Sequence, residues 1–265
     1  MRINSLSLEN YRNIIRCDLT PGEGVNLIVG DNAQGKTNLM EAIWLLTGEK
    51  TFRYGREHDI PRLDMDRETQ RTRVYANVFA EGRDQELEYI LWPRRQVKIN
   101  GITEPGRGAF SGKLCCVIFS PNHLSLVRDG PAERRDFLDG AISQLRPQYI
   151  KVLSDYNRAL AQRSTLLREA FRDRGRLDLL PVFDYHVARL GSLIQVTRQS
   201  YLTRLAEYAA GFHQGISAGK EELSVRYTIG GTGSGILDPE GSREELEQAL
   251  LSLLEQGREE DLRLG

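Results

Sequence analysis

The stretch GVNLIVGDNAQGKTNLMEAI, residues 24–43, decides how this chain is read. Residues 24–30 are a compact apolar run closing on Gly30, the pattern of a buried strand. From Lys36 to about Thr47, Leu39, Ile43 and Leu46 fall on one helical face, and Gly48 offers a stop. Between the two elements, Gly30, Gly35, Lys36 and Thr37 complete the pattern G-x-x-x-x-G-K-[ST]. Strand before and helix after is the context that makes this pattern a phosphate-holding loop.

Each position has a physical task. Gly30 and Gly35 let the backbone turn tightly and bring its N–H groups toward an anion. The helix beginning near Lys36 aims the positive end of its dipole at the same place. Lys36 reaches β- and γ-phosphates, and the Thr37 hydroxyl is positioned to ligate Mg²⁺. The candidate nucleotide-binding residues are therefore Gly30, Asp31, Asn32, Ala33, Gln34, Gly35, Lys36 and Thr37. Holding a nucleotide is not hydrolysing it. Phosphoryl transfer needs an acidic group at the end of another apolar strand, and the best match, LSLLE at 251–255, sits in a helical pattern. No catalytic residue is assigned, and the chain reads as half a catalytic site.

Around this loop the chain reads as α/β. Residues 2–8 and 14–19 are strand-like, 73–80 and 86–92 alternate apolar with polar, and Asn100-Gly101 is a strong hairpin signal. An antiparallel meander is expected after the first helix, with a further apolar strand at 114–119. Beyond Pro121 the text turns helical, from 131 to 170 with a break at Pro147 and again from 179 to 210. Residues 223–229 read as a strand, GGTGSG at 230–235 as a flexible connection, and 242–256 as a helix opened by a Ser242–Glu245 capping box. The expected domains are an ATP-binding lobe over 1–120, a helical lobe over 121–220, and a return strand and helix over 221–265.

Composition narrows the class. The 265 residues carry a net charge of −1, so nucleic-acid binding requires a local patch rather than an overall basic balance. From 146 to 176 arginine and lysine outnumber the acids, although such runs are usually a solvated helix face. Three cysteines, Cys17, Cys115 and Cys116, make no disulfide framework and no metal half-site. The apolar runs are too short to span a bilayer, and a cytoplasmic protein is expected.

LSLENYRN at 6–13, GDNAQGKTNLMEAI at 30–43, TFR at 51–53 and VIFSPNHLSLVRDGPAERRDFLD at 117–139 together resemble the RecF family of bacterial recombination and repair ATPases. YNRALAQRSTLLR at 156–168 and REEDLR at 258–263 extend the likeness over the whole chain. The resemblance implies a P-loop NTPase of ABC/SMC-head type, related to Rad50 and SMC heads, with an antiparallel meander and a mainly helical second lobe. It implies ATP and Mg²⁺ as cofactors and DNA, single- or double-stranded and gapped, as partner. Partners of RecR and RecO type, recombinase loading at gaps, the SOS response and an ATP-dependent homodimer of the complete protein also follow from it. A weak DNA-dependent ATPase is expected of the complete protein, and little hydrolysis from this chain. The family's signature motif and Walker B lie beyond the helical lobe, so the chain is expected to be an N-terminal fragment.

The resemblance also brings Arg12 and Asn13 near the nucleotide, where an arginine could contact phosphate bidentately; the alternative is a surface turn. Asn122-His123 stand where the family usually has an acidic pair. Ala33 stands where many relatives have glycine, and because alanine at positive φ costs about 1–2 kcal/mol, φ < 0 is expected there. Arg134 and Arg135 oppose the dipole in the first turn of their helix. They either lock the junction of the lobes by pairing with Asp129, Asp136 or Asp139, or face DNA phosphate, and the lock is favoured. The rival readings are a P-loop small-molecule kinase or GTPase, disfavoured by the meander and by the lack of an N-K-x-D motif, and a non-catalytic scaffold.

Overall fold

A computed structural model of the chain describes residues 1–53, 57–170, 174–231, 234–237 and 241–264. The backbone divides into two compact units, Met1–Pro147 and Gln148–Gly265.

The first unit is built on a six-stranded antiparallel sheet, spatial order β2-β1-β3-β4-β5-β6. Its strands are β1 (Arg2–Tyr11), β2 (Ile14–Leu19), β3 (Thr72–Ala80), β4 (Arg83–Trp92), β5 (Gln96–Ile99) and β6 (Ile102–Glu104). Local turn chemistry explains the tight hairpins. Glu81-Gly82 joins β3 to β4 and Asn100-Gly101 joins β5 to β6, and all four residues have positive φ, as a two-residue hairpin turn demands. Alternation puts Leu6, Leu8, Val74, Ala76, Val78, Leu87 and Tyr89 on one face, where they meet Leu39, Ala42, Leu45 and Leu46 of helix α1 (Lys36–Leu45) and its C-cap. That apolar layer fixes where α1, and hence the loop before it, sits against the sheet. The unit continues through the short α2 (Ser125–Arg128) into α3 (Pro131–Leu145).

The second unit holds α4 (Pro147–Ala170), α5 (Leu180–Ile216), a two-stranded ribbon β7 (Ile229–Gly231) and β8 (Ser234–Leu237), α6 (Arg243–Gln256) and α7 (Arg258–Leu264). The break at Pro147 falls where the sequence places it. The capping box is present in full, with Ser242 and Glu245 each accepting the other's backbone N–H at 3.2 and 2.7 Å. Burial of Asp184 inside this unit is compensated by two arginines. Arg163 Nε donates to Oδ1 at 2.6 Å, and Arg258 Nε and Nη2 donate to Oδ2 at 2.9 and 2.7 Å. Arg163 also reaches Asp261 at 2.8 Å, so α4, α5 and α7 are tied through one polar centre. This arginine belongs to the basic run of 146–176 but is turned inward, not toward a nucleic acid.

Three expected strands are corrected. Residues 24–30 are not in a sheet: Val25 is 97% exposed and Leu27 83%. The run 114–119 is likewise unpaired, with Val117 99% exposed. Apolar composition marks both runs as sheet material, yet among the described residues no neighbouring strand completes their ladders. Residues 223–228 are also outside any strand, and the ladder begins at Ile229, where the chain folds into the β7–β8 ribbon. Part of the glycine-rich connection is thus strand, and 232–233 lie outside the described residues.

Candidate nucleotide site

The loop before α1 is shaped for close backbone approach. Gly30 and Gly35 have φ of 154° and 101°, values that a side chain at either position would resist. A Cβ on Gly35 would lie 2.8 Å from Asn13 Oδ1, so a larger residue there must displace the Asn13 side chain. Gly35 is the N-cap of α1, no side chain caps the helix, and its first turn has no acidic residue. The leading N–H groups and the dipole end therefore face the loop unopposed. Lys36 Nζ donates to the carbonyls of Gly30 and Asp31, both at 2.7 Å, holding its ammonium over the loop. Thr37 is exposed at the same end of the helix.

Ala33 corrects the expectation of negative φ: it has φ 65°. The strain is held in place from outside the loop, because Asn13 Nδ2 donates to the Ala33 carbonyl at 2.8 Å. Asn13 in turn accepts from Asn38 Nδ2 at 2.7 Å, and Asn38 accepts from Arg53. One asparagine at the end of β1 thus ties the loop to α1.

Arg12 lies in the same pocket but is committed elsewhere. Its Nε and Nη2 donate to the two oxygens of Glu41 at 3.0 and 2.7 Å, and Nη1 donates to the Asp59 carbonyl at 3.1 Å. Burial acts to raise the pKa of Glu41, and the hydrogen bonds from Arg12 and Thr51 together with the Arg12 charge outweigh it, leaving the carboxyl below its ordinary value. Burial, followed by the Glu41 charge, pushes the neighbouring Tyr11 phenol well above its own. The Glu41 partnership is a feature the sequence reading missed. Its signal was a carboxylate on the buried stripe of α1, among Asn38, Leu39, Ala42 and Leu45.

Around the loop opens a cavity of about 860 Å³, walled by Arg12, Asn13, residues 32–38, Arg53, Asp59 and residues 61–64. It brings together Arg12, Asn13, Asn32, Ala33, Gln34, Gly35, Lys36 and Thr37 of the candidate set. Arg134 and Arg135 do not line it. Arg134 donates to the carbonyls of Leu126 at 2.9 Å and Asp129 at 3.5 Å. Among the described residues no group of His, Cys, Asp and Glu is arranged to hold a metal by itself.

Comparison with known proteins decides the lineage. The chain is 36% identical to the DNA replication and repair protein RecF of Gloeobacter violaceus, over 100% of this chain and 69% of that protein. It is 34% identical to the RecF of Symbiobacterium thermophilum with the same coverage of both chains. The chain belongs to the RecF family. Against the RecF of Acetivibrio thermocellus it is 35% identical over 86% of its own length, and spans 61% of that relative. An AAA ATPase domain family matches residues 1–100. Two solved structures of the recombination mediator protein RecF in the RecFOR pathway, designated RecF-ATPrS and RecF-ATP, superpose with TM-scores of 0.88 and 0.87 at 29% identity, each over 99% of this chain and 69% of theirs. The fold is thus that of a RecF-type P-loop ATPase, a sheet-and-helix head with a helical lobe. No described helix is long and apolar enough to cross a membrane.

Proposed function

We propose that this chain binds ATP through the 30–37 loop and serves recombinational DNA repair and replication as the nucleotide-holding part of a RecF protein. The observation that carries the reading is the uncapped N-terminus of α1 behind a loop held open by Gly30, Ala33 and Gly35, in a cavity large enough for a nucleoside triphosphate. The loop and helix N–H groups hold the phosphates, and Lys36 exchanges the carbonyls of Gly30 and Asp31 for β- and γ-phosphate oxygens. Thr37 Oγ1 fits as a protein ligand for Mg²⁺, because it stands exposed beside the phosphate end of the cavity. The ion supplies charge neutralisation of the phosphates. Asn13 orients the loop, and Arg12 supports it by fixing the start of the 59–64 segment.

The same reading includes binding to DNA, single- or double-stranded and gapped, cooperation with RecO- and RecR-type partners at gaps, a role in the SOS response, a cytoplasmic location and ATP-dependent dimerisation of the complete protein. It is supported by kinship alone. Little hydrolysis is expected from this chain.

The test is displacement of a fluorescent ATP analogue. Lys36→Ala, a change at the first residue of α1, is expected to weaken binding by tenfold or more, the order of a lost charged hydrogen bond. Equal binding by both chains sinks the proposal.

A further inference from the structure

Helices α4 and α5 run antiparallel, and two contacts fix their register. Arg163 Nε meets Asp184 Oδ1 at 2.6 Å, and Gly191 packs so closely on the Tyr156 ring that an added Cβ would lie 3.3 Å from it. On that register Arg158 falls level with Arg189, and Ala159 with Ala188. Both alanines are buried, and their small side chains let the two backbones approach. Beside them, within the unit Gln148–Gly265, opens a cavity of about 420 Å³. Its floor is apolar, made by the buried Ala159 and the half-buried Phe183 and Leu190. Its rim carries Arg158 and Arg189, both exposed, and Gln162 and His186 add N–H groups to it. Among the described residues Asp155 is the one acid on the wall. It lies 3.7 Å from Arg158, which leaves Arg189 without a carboxylate in the cavity.

A basic helix face turned to open water needs no partner. Here the two guanidiniums stand level on either side of a concave apolar floor, and that floor gains from leaving water. A ligand that satisfies both features carries negative charge at two points with an apolar group between them. Nucleic acid supplies the charge as a continuous row of phosphates, and a duplex has no apolar side chain to seat on the floor. We propose that this groove docks an acidic peptide segment of a partner protein. Its carboxylates pair with Arg158 and Arg189 in the bidentate geometry that guanidinium favours. An apolar side chain between those carboxylates covers Ala159, Phe183 and Leu190. The groove shares no residue with the nucleotide cavity, so this docking site and the nucleotide reading stand or fall separately.

The probe is a panel of fluorescein-labelled peptides, each with aspartate or glutamate pairs flanking one leucine or phenylalanine, titrated with the whole chain by anisotropy. Wild type is expected to bind acidic members of the panel saturably and to ignore counterparts with lysine in place of the acids. Serine in place of the apolar residue is expected to weaken binding. The double variant Arg158→Gln, Arg189→Gln is expected to lose tenfold or more, the order of lost charge-assisted hydrogen bonds, with urea midpoint and ATP affinity unchanged. Asp155→Asn frees Arg158 from its own acid and is expected to tighten binding, a gain that misfolding cannot mimic. Failure of the whole panel to bind overturns the proposal, as does equal binding by the double variant or by the lysine or serine peptides. A labelled oligothymidine strand that binds more tightly than any peptide, and is lost in the double variant, overturns it in favour of nucleic acid.

Discussion

Arg12 and Glu41 face each other through two hydrogen bonds of 3.0 and 2.7 Å, with the carboxylate side chain at 0% exposure and the guanidinium at 15%. This pair joins the end of β1 to the buried face of α1, directly beneath the phosphate loop. Removing one partner leaves the other charge buried and uncompensated, which costs about 3–5 kcal/mol. Arg12→Ala is therefore expected to lower the urea midpoint of the chain by a corresponding amount. If Arg12 were chiefly a phosphate ligand, the substitution would weaken ATP binding and leave the midpoint in place.

The same pair sets an acid limit. Glu41 has its pKa lowered from 4.5 in the folded chain, so its stabilising contribution is complete above pH 4.5 and is lost as pH falls through the depressed native value. Glu41→Gln should flatten stability against pH in that acid window and leave the slope at neutral pH alone. A series of denaturation curves taken from neutral pH down through the acid limb reads this directly.

Asp184 serves the second unit as Glu41 serves the first. With Arg163 and Arg258 both on its oxygens, Asp184→Ala takes from two cations their shared buried carboxylate, and a loss of about 3 kcal/mol is expected. The effect should appear in the stability of residues 148–265 while ATP affinity stays at the wild-type value. A fall in affinity of the same size would show that the centre acts on the nucleotide site.

Asn13→Ala removes the donor that holds the Ala33 carbonyl and the acceptor for Asn38. A net hydrogen bond is worth about 0.5–1.5 kcal/mol, so ATP affinity is expected to fall roughly threefold to tenfold. Ala33→Gly is expected to bind ATP as well as wild type, since glycine adopts positive φ without strain. Titration of both variants separates loop positioning from loop strain.

How much of this was legible depended on distance along the chain. Asn100-Gly101, Pro147 and the Ser242–Glu245 box act within a few residues, and the structure places each where the sequence does. Residues 24–30 and 114–119 misled because apolar runs report a need for burial, whereas a strand also requires a neighbour. The Ala33 conformation was hidden because local sterics favour negative φ, and the force that reverses it comes from Asn13, twenty positions away. Arg12 found its partner twenty-nine residues on, which no local pattern could specify. The loop motif itself was readable because its chemistry sits in one contiguous stretch.

The unpaired runs make a further prediction. Amides at 25–29 and 117–119 should exchange with solvent far faster than those of β3, which is paired with β1 on one side and β4 on the other. Slow exchange at those runs would mean that they are paired in solution.

The most direct test of the central claim is hydrogen exchange at residues 33–38, resolved by NMR, before and after saturation with ATP and Mg²⁺. The account predicts that the amides of Gly35, Lys36 and Thr37 become strongly protected as they close on the phosphates. Protection confined to other segments, or none at saturating nucleotide, would contradict it.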